Sequence, residues 1–301
     1  MTPQPKQRSV VLLIFAIAIV VTSAIGCRKT NNKPGESTLE RIKRQKTVRI
    51  AYANEAPFGY KNVESGRVTG EAPEVARVIL QRMGVEHCET TLTDFGQLIP
   101  GLKAGRFDII AAGMYVTPER CKQIAFSNPT YAIGEAFLVK SGNPLGLHSY
   151  EDVVKNNEAR LGVVGGTVEL GYAEALEIPE KRISVYPDNA AALAALKSGR
   201  IDAFAGTALT VKDLLKKSPG AALERALPFQ QPAPDGRAKN YGAMGFRKED
   251  TKLRDEFNRQ LAEFIGTKQH LDLVRPFGFG QSELPGSVAS EELCSGSPAA
   301  P

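Results

Sequence analysis

The stretch LKAGRFDIIAAGM, Leu102 to Met114, returns as LKSGRIDAFAGTA, Leu196 to Ala208, at an offset of 94 residues. Each copy reads the same way: a helix runs out through Leu-Lys-small, a glycine supplies the left-handed stop, and an apolar strand follows. Two copies of one helix-to-strand unit predict two lobes of similar α/β build. Working outward from the first copy, 47–53 reads as a strand, 72–84 as an amphipathic helix, 88–95 as a strand and 96–105 as a helix. Around the second copy, helices are expected over 150–156, 168–176, 191–199 and 208–217, and strands over 160–164, 183–187 and 201–206. This alternation argues for mostly parallel sheets. The segment 134–144 crosses out of the first lobe and the Pro-rich 228–236 marks the return; 241–248 and a long helix over 251–269 complete lobe one. The expected layout is lobe one over 46–138 and 229–281, lobe two over 139–228, and a two-strand hinge between them. Lobes joined in this way close on ligands held in the cleft.

The chain has 301 residues, enough for two lobes with real cores. Hydrophobic content of 42% and charged content of 24% are those of an ordinary globular protein. Net charge is +5, or +3 once Lys6 and Arg8 are subtracted (5 − 2), too weak and scattered to argue for nucleic acid. Those two cations precede the apolar run Val10 to Val21 and then TSAIGC, the pattern of a secretory signal peptide over 1–26. The run is short for a membrane span of ~20 residues. AIGC, Ala24 to Cys27, resembles a bacterial lipobox, which implies lipidation of Cys27 and anchorage on the outer face of a membrane. Ala24 stands where such boxes most often carry leucine, so plain signal-peptidase cleavage at the same bond stays open. Residues 27–45 read as a polar tether, and the Ser/Gly/Pro-rich 282–301 as a disordered tail. The remaining cysteines, Cys88, Cys121 and Cys294, are odd in number. Cys88 lies near the start of one strand and Cys121 beyond the far end of another, a separation of roughly 23 Å, so free thiols are expected.

In open parallel sheets, ligands bind beyond the carboxyl ends of the strands. Glu55 and Phe58 follow the first strand, Asp94 and Phe95 the second, and Tyr115, Thr117 and Arg120 the third; Gly165, Gly166 and Thr167 follow the first strand of lobe two. Thr117 and Pro118 are good N-cap and first-turn residues. Arg120 therefore sits where a helix N-terminus favours negative charge. A ligand carboxylate resolves the conflict by accepting bonds from the guanidinium and the free N–H groups; Asp94 is the alternative partner within the protein. Thr167, at a helix start in the other lobe, offers a second set of donors. Three rings on the same rim attract cations, about 0.5–2 kcal/mol each, and Glu55 suits the N–H groups of an amidinium or guanidinium. The ligand expected is a small zwitterion with a delocalised positive charge.

Other classes find less support. The three histidines, His87, His148 and His270, are scattered. No Gly-x-Ser-x-Gly, His-Glu-x-x-His or metal-spaced cysteine cluster occurs, so no enzyme, metal or cofactor is expected. A transporter ATPase is excluded by the lack of a Gly-x-x-x-x-Gly-Lys-Ser/Thr loop.

From about Thr38 to Phe279 the chain resembles type II periplasmic solute-binding proteins of the polar amino-acid class, on its Leu-Lys-x-Gly-Arg-x-Asp units, MYVTPER and GGT. Within that class, ANEAPFGY, the long stretch Leu92 to Cys121 and SNPTYAIGEAFLV are similar to ectoine/hydroxyectoine-binding proteins of ABC transporters. The resemblance implies a two-lobed binding-protein fold, Phe58, Phe95 and Tyr115 as an aromatic cage, Glu55 for the ring nitrogens, and Arg120 with Thr167 for the carboxylate. It implies a monomer that delivers its ligand to an ABC permease and its ATPase. Amino-acid binders of the class carry an aspartate where this chain has Thr207, to hold the α-ammonium. Ectoine has no free α-ammonium and needs none. Asp188 is a possible substitute, which keeps a polar amino acid as the alternative ligand.

Overall fold

The computed structural model describes residues 33–232 and 236–296. The leader 1–26, Cys27 and residues 297–301 lie outside them. Helix α1 (Thr38–Gln45) leads into β1 (Thr47–Tyr52), and a small hairpin, β2 (Tyr60–Lys61) and β3 (Val68–Thr69), precedes α2 (Glu71–Arg82). Next come β4 (His87–Leu92), α3 (Leu98–Lys103), β5 (Ile109–Tyr115), α4 (Pro118–Cys121), β6 (Ala125–Phe126) and β7 (Tyr131–Ile133). The chain then passes into β8 (Glu135–Lys140), α5 (Tyr150–Lys155), β9 (Leu161–Val164), α6 (Val168–Ala175) and β10 (Ile183–Tyr186). After these follow α7 (Asn189–Lys197), β11 (Ala203–Thr207), α8 (Ala208–Lys216) and β12 (Leu223–Arg225). It returns through β13 (Asn240–Phe246) to α9 (Thr251–Ala262), α10 (Lys268–Val274) and α11 (Ser290–Cys294).

Besides the β2–β3 hairpin, two larger sheets form, one in each lobe. The first runs β4-β1-β5-β13-β6 with β7 beside β13, and the second runs β10-β9-β11-β8-β12. In both, three parallel strands meet an antiparallel fourth. The repeated strands β5 and β11 hold the same place in each sheet. They follow Gly105 and Gly199, both left-handed at φ 69° and 74°. β9 is buried throughout and β5 nearly so, as expected for strands covered on both faces. Lobe one packs Val75, Ala76, Ile79 and Leu80 of α2 with Ile50, Ile109 and Phe257. Lobe two packs Phe137, Val139, Leu161, Val163, Ala203 and Ala205.

The repeat extends to a charged clamp at the start of each copy's strand. Asp108 Oδ2 accepts from the N–H and Nε of Arg49, both at 3.1 Å, and Oδ1 accepts from Nη2 at 2.7 Å, while Nη1 bonds Gly105 O at 2.9 Å. In lobe two, Asp202 Oδ2 accepts from the N–H and Nε of Arg160 at 3.0 and 2.9 Å, and Nη2 bonds Gly199 O at 2.7 Å. The aspartate of each unit thus ties its own strand to the neighbouring one. Asp108 is fully buried and is also paired with Arg41 and Arg247. Burial alone raises its pKa, but Arg49 and Arg41 outweigh that and hold it at about 2.

The crossing into lobe two falls at Gly134, between β7 in the first sheet and β8 in the second, upstream of the expected limit at 139. Gln231, on the return path, brackets it. Its Oε1 accepts from Glu135 N at 2.5 Å and its Nε2 donates to Glu135 O at 2.9 Å. Three other expectations are corrected. The helix expected over 251–269 is two helices, because Gly266 is left-handed (φ 75°) and Thr267 caps a new start. Within the expected disordered tail, 282–301, Ser290–Cys294 is a helix with Ser290 and Leu293 buried. Cys121 and Cys294, expected as free thiols, form a disulfide with Cα atoms 5.6 Å apart; Cys88 is free. The docked tail delivers Cys294 to the end of α4, a pairing across 173 residues that spacing alone does not reveal.

Candidate ligand-binding cleft

The strand ends of both lobes meet around a small cavity of about 20 Å³. Glu55, Phe58, Phe95, Tyr115 and Arg120 line it from lobe one, and Thr167 and Thr207 from lobe two. Phe58 is buried, its ring 5.1 Å from Tyr131 and 5.5 Å from Phe279 between centroids. Gly113 gives it room, since a Cβ there lands 2.5 Å from the Phe58 side chain. Tyr115 is buried, with its side chain against that of Glu135. A second, larger cavity of about 280 Å³ shares Glu55 and Phe95 with the first and adds Asp94, Asp188 and Asn189.

Two expected site residues sit elsewhere. Thr117 does not line the inner cavity; its hydroxyl caps α4 by accepting from Arg120 N at 3.3 Å. Asp188 lines the outer cavity and caps α7 through Ala191 N at 2.8 Å. Thr207 caps α8 at the inner wall, bonding Thr210 N at 3.0 Å. Thr167 heads α6, but its hydroxyl bonds back to Val164 O at 2.8 Å rather than capping the helix.

Arg120 is 9% exposed. Its Nη1 donates to Tyr115 O at 2.8 Å and its Nη2 to Gly166 O, in lobe two, at 3.0 Å. Five N–H groups less these two leaves three with no acceptor among the described residues. Its guanidinium carbon lies 5.5 Å from the Phe95 ring centre. No carboxylate, Asp94 included, is within ion-pair distance of it among the described residues. Burial pushes the guanidinium below its ordinary pKa, with Glu169 and Glu55 opposing. Burying an unpaired charge is costly.

Glu169 was not singled out from the sequence. It lies in the first turn of α6, buried, on the cavity wall. An acid there reads as ordinary helix-dipole compensation, so nothing local marks it. Burial, then the Glu169 charge, raises the Glu55 carboxyl to about 8, with Asn189 and Arg120 pulling the other way. Behind the cavity Glu135, at the crossing, is also buried; its Oε1 accepts from Asn240 Nδ2 at 3.0 Å, and Tyr172 donates to Asn240 Oδ1 at 3.1 Å. Burial and the adjacent Glu169 hold the Glu135 carboxyl far above the usual range.

The lobes are closed on one another. Gly166 has φ 81°, and a Cβ there falls 2.6 Å from Gly96 Cα in lobe one. Only glycine on lobe two permits this approach. The arrangement sets one unpaired cation against carboxyl groups across ring-lined walls. Among the described residues no group of histidines, cysteines and acids is placed to hold a metal, and no helix is long and apolar enough to cross a membrane.

Comparison with known proteins agrees with this architecture. The pattern of bacterial extracellular solute-binding proteins, family 3, matches residues 48–279. A probable amino-acid ABC transporter periplasmic-binding protein, y4tE of Sinorhizobium fredii, is 39% identical over 284 residues, covering 91% of this chain and 92% of that protein. The lysine/arginine/ornithine-binding periplasmic protein of Escherichia coli is 28% identical over 223 residues, with 72% of this chain and 82% of that protein covered. Among solved structures, EhuB in complex with hydroxyectoine superimposes with a TM-score of 0.78 at 38% identity, covering 85% of this chain and 97% of that one. Members of the family bind small ligands and deliver them to an ABC permease and its ATPase. The chain belongs to the bacterial extracellular solute-binding proteins, family 3, and is an extracytoplasmic solute-binding component of an amino-acid-type ABC transporter.

Proposed function

We propose that this receptor captures ectoine or hydroxyectoine. The ligand carboxylate pairs with Arg120 and the helix start at Thr167, while its delocalised cation lies between Phe58, Phe95 and Tyr115 with Glu55 and Glu169 as acceptors. The observation that carries the reading is the buried, unpaired guanidinium of Arg120 in a ring-lined cavity. The likeness to EhuB, which holds hydroxyectoine, supports it. Binding on lobe one followed by closure of lobe two adds the Arg120–Gly166 bond. Micromolar affinity corresponds to about −8 kcal/mol, within reach of charge-assisted bonds and ring contacts after ordering costs.

A polar amino acid is the second reading. Glu169 favours it, because a carboxylate on the inner wall suits an α-ammonium even with Thr207 in place of an aspartate. Relatives whose names give lysine and arginine as ligands belong with it. Calorimetric titration with both ligand classes separates the two. The anchoring we propose is lipidation of Cys27 after removal of 1–26, with the receptor acting as a monomer. Mass spectrometry of the membrane-associated protein, reading a diacylglyceryl adduct at Cys27 or an unmodified new N-terminus, decides the anchor.

A further inference from the structure

The C-terminal segment read as a loose tail reaches the residue next to the ligand anchor. Cys294 closes α11 and is bonded to Cys121, which immediately follows Arg120 and ends α4. Helix α4 is four residues long, too short to hold its shape alone, and α11 is the main element packed on it. The tail is docked by more than the sulfur bridge. Leu293 and Ser290 are buried, Glu292 Oε1 accepts from the buried Arg237 at 2.8 Å, and Ser290 N donates to Asn128 Oδ1 at 3.4 Å. Leu293 joins Val116, Ile124 and Phe126, the residues flanking α4, in one apolar cluster.

We propose that α11 and the Cys121–Cys294 bridge form a latch that positions Arg120 for its ligand anion. Arg120 is the positioned residue, Cys294 and Leu293 the positioning ones. The inference rests on the assignment of Arg120 as anion anchor. Its guanidinium must meet Tyr115 O, Gly166 O and the ligand together, and a backbone shift of α4 breaks that coincidence. A misplacement of about 1 Å in such a site costs on the order of 100-fold.

The test uses Cys294→Ser and Leu293→Ala in the purified protein, with ectoine and arginine as titrants. Both variants are expected to bind the competent titrant about 10- to 100-fold more weakly, with both lobes still folded by circular dichroism. In an Arg120→Met background the same substitutions are expected to add nothing, which a merely stabilising bridge does not produce. Hydrogen exchange is read in parallel without ligand. Reduction by a dithiol, which becomes a cyclic disulfide as Cys121 and Cys294 regain their thiols, is expected to raise exchange across 118–124 and leave α6 unchanged. Unchanged affinity in both variants, or unchanged exchange across 118–124, overturns the latch. If the parent protein binds neither titrant, the ligand assignment fails, and the exchange result still decides the latch.

Discussion

Replacing Arg120 with methionine separates ligand binding from folding. The substitution keeps an unbranched side chain of similar reach and removes the charge. In the ligand complex it removes the partner of a desolvated carboxylate, a loss of about 2–5 kcal/mol, or about 30- to 5,000-fold in affinity at about 1.4 kcal/mol per decade. The ligand-free protein behaves differently. Before lobe two closes, one charge-assisted bond, to Tyr115 O, disappears, at about 1.5–3 kcal/mol. Against this, a buried cation with no counterion is eliminated, and its desolvation costs several kcal/mol. The two nearly cancel, so the midpoint of thermal unfolding without ligand is expected to stay within about 2–4 °C of the parent. Calorimetric titration gives the affinity and differential scanning calorimetry the midpoint. An affinity unchanged by the substitution refutes the anion role. A ligand-free midpoint lowered by about 10 °C or more shows instead that the guanidinium is a structural prop.

Glu135→Gln tests the proton held at the crossing. The Glu135 carboxyl lies above its ordinary 4.5 in the folded state, first through burial and then through Glu169, so its contribution is fully present below about pH 4.5 and fades as pH rises toward the raised value. The ligand-free parent should lose stability between pH 5 and pH 8, as Glu55 titrates in the same sense, and the variant should lose less; parallel pH profiles contradict the assignment. Asp108→Asn strips a buried clamp and should cost about 3–5 kcal/mol, or about 6–20 °C in midpoint. The sequence-equivalent Asp202→Asn, whose partner Arg160 is 44% exposed, should cost about 0–1 kcal/mol, and equal losses on denaturant unfolding would show that burial is not what distinguishes the two. Gly166→Ala places a Cβ 2.6 Å from Gly96 Cα in the closed form; it should weaken ligand binding at least tenfold, at about 1.4 kcal/mol per decade, while leaving small-angle scattering of the ligand-free protein unchanged, and full affinity would mean that the lobes close by another route.

Most of the fold was written in local pattern. The paired Leu-Lys-x-Gly-Arg-x-Asp units mark strands at matching places in the two sheets, since helix, glycine stop and apolar strand are each specified within a few residues. The family resemblance was borne out over residues 48–279. The cavity residues at strand ends were legible because strand ends are set by the same signals. Glu169 was not, since a first-turn acid is unremarked on any helix. Thr117 misled in the other direction: its capping role was correctly read, and capping turns its hydroxyl to the Arg120 N–H rather than to the cavity. The Cys121–Cys294 bridge and α11 were invisible because both depend on docking across 173 residues. The break between α9 and α10 was missed because Gly266 and Thr267 interrupt a run whose apolar period resumes at once.

Isothermal titration calorimetry of the purified protein against ectoine, hydroxyectoine, glycine betaine, arginine and glutamine tests the central claim. Micromolar or tighter binding of ectoine or hydroxyectoine, with arginine and glutamine silent, is the predicted result. Tight binding of arginine or glutamine with both ectoines silent contradicts the ligand assignment and identifies Glu169 as the group that replaces the missing aspartate at Thr207.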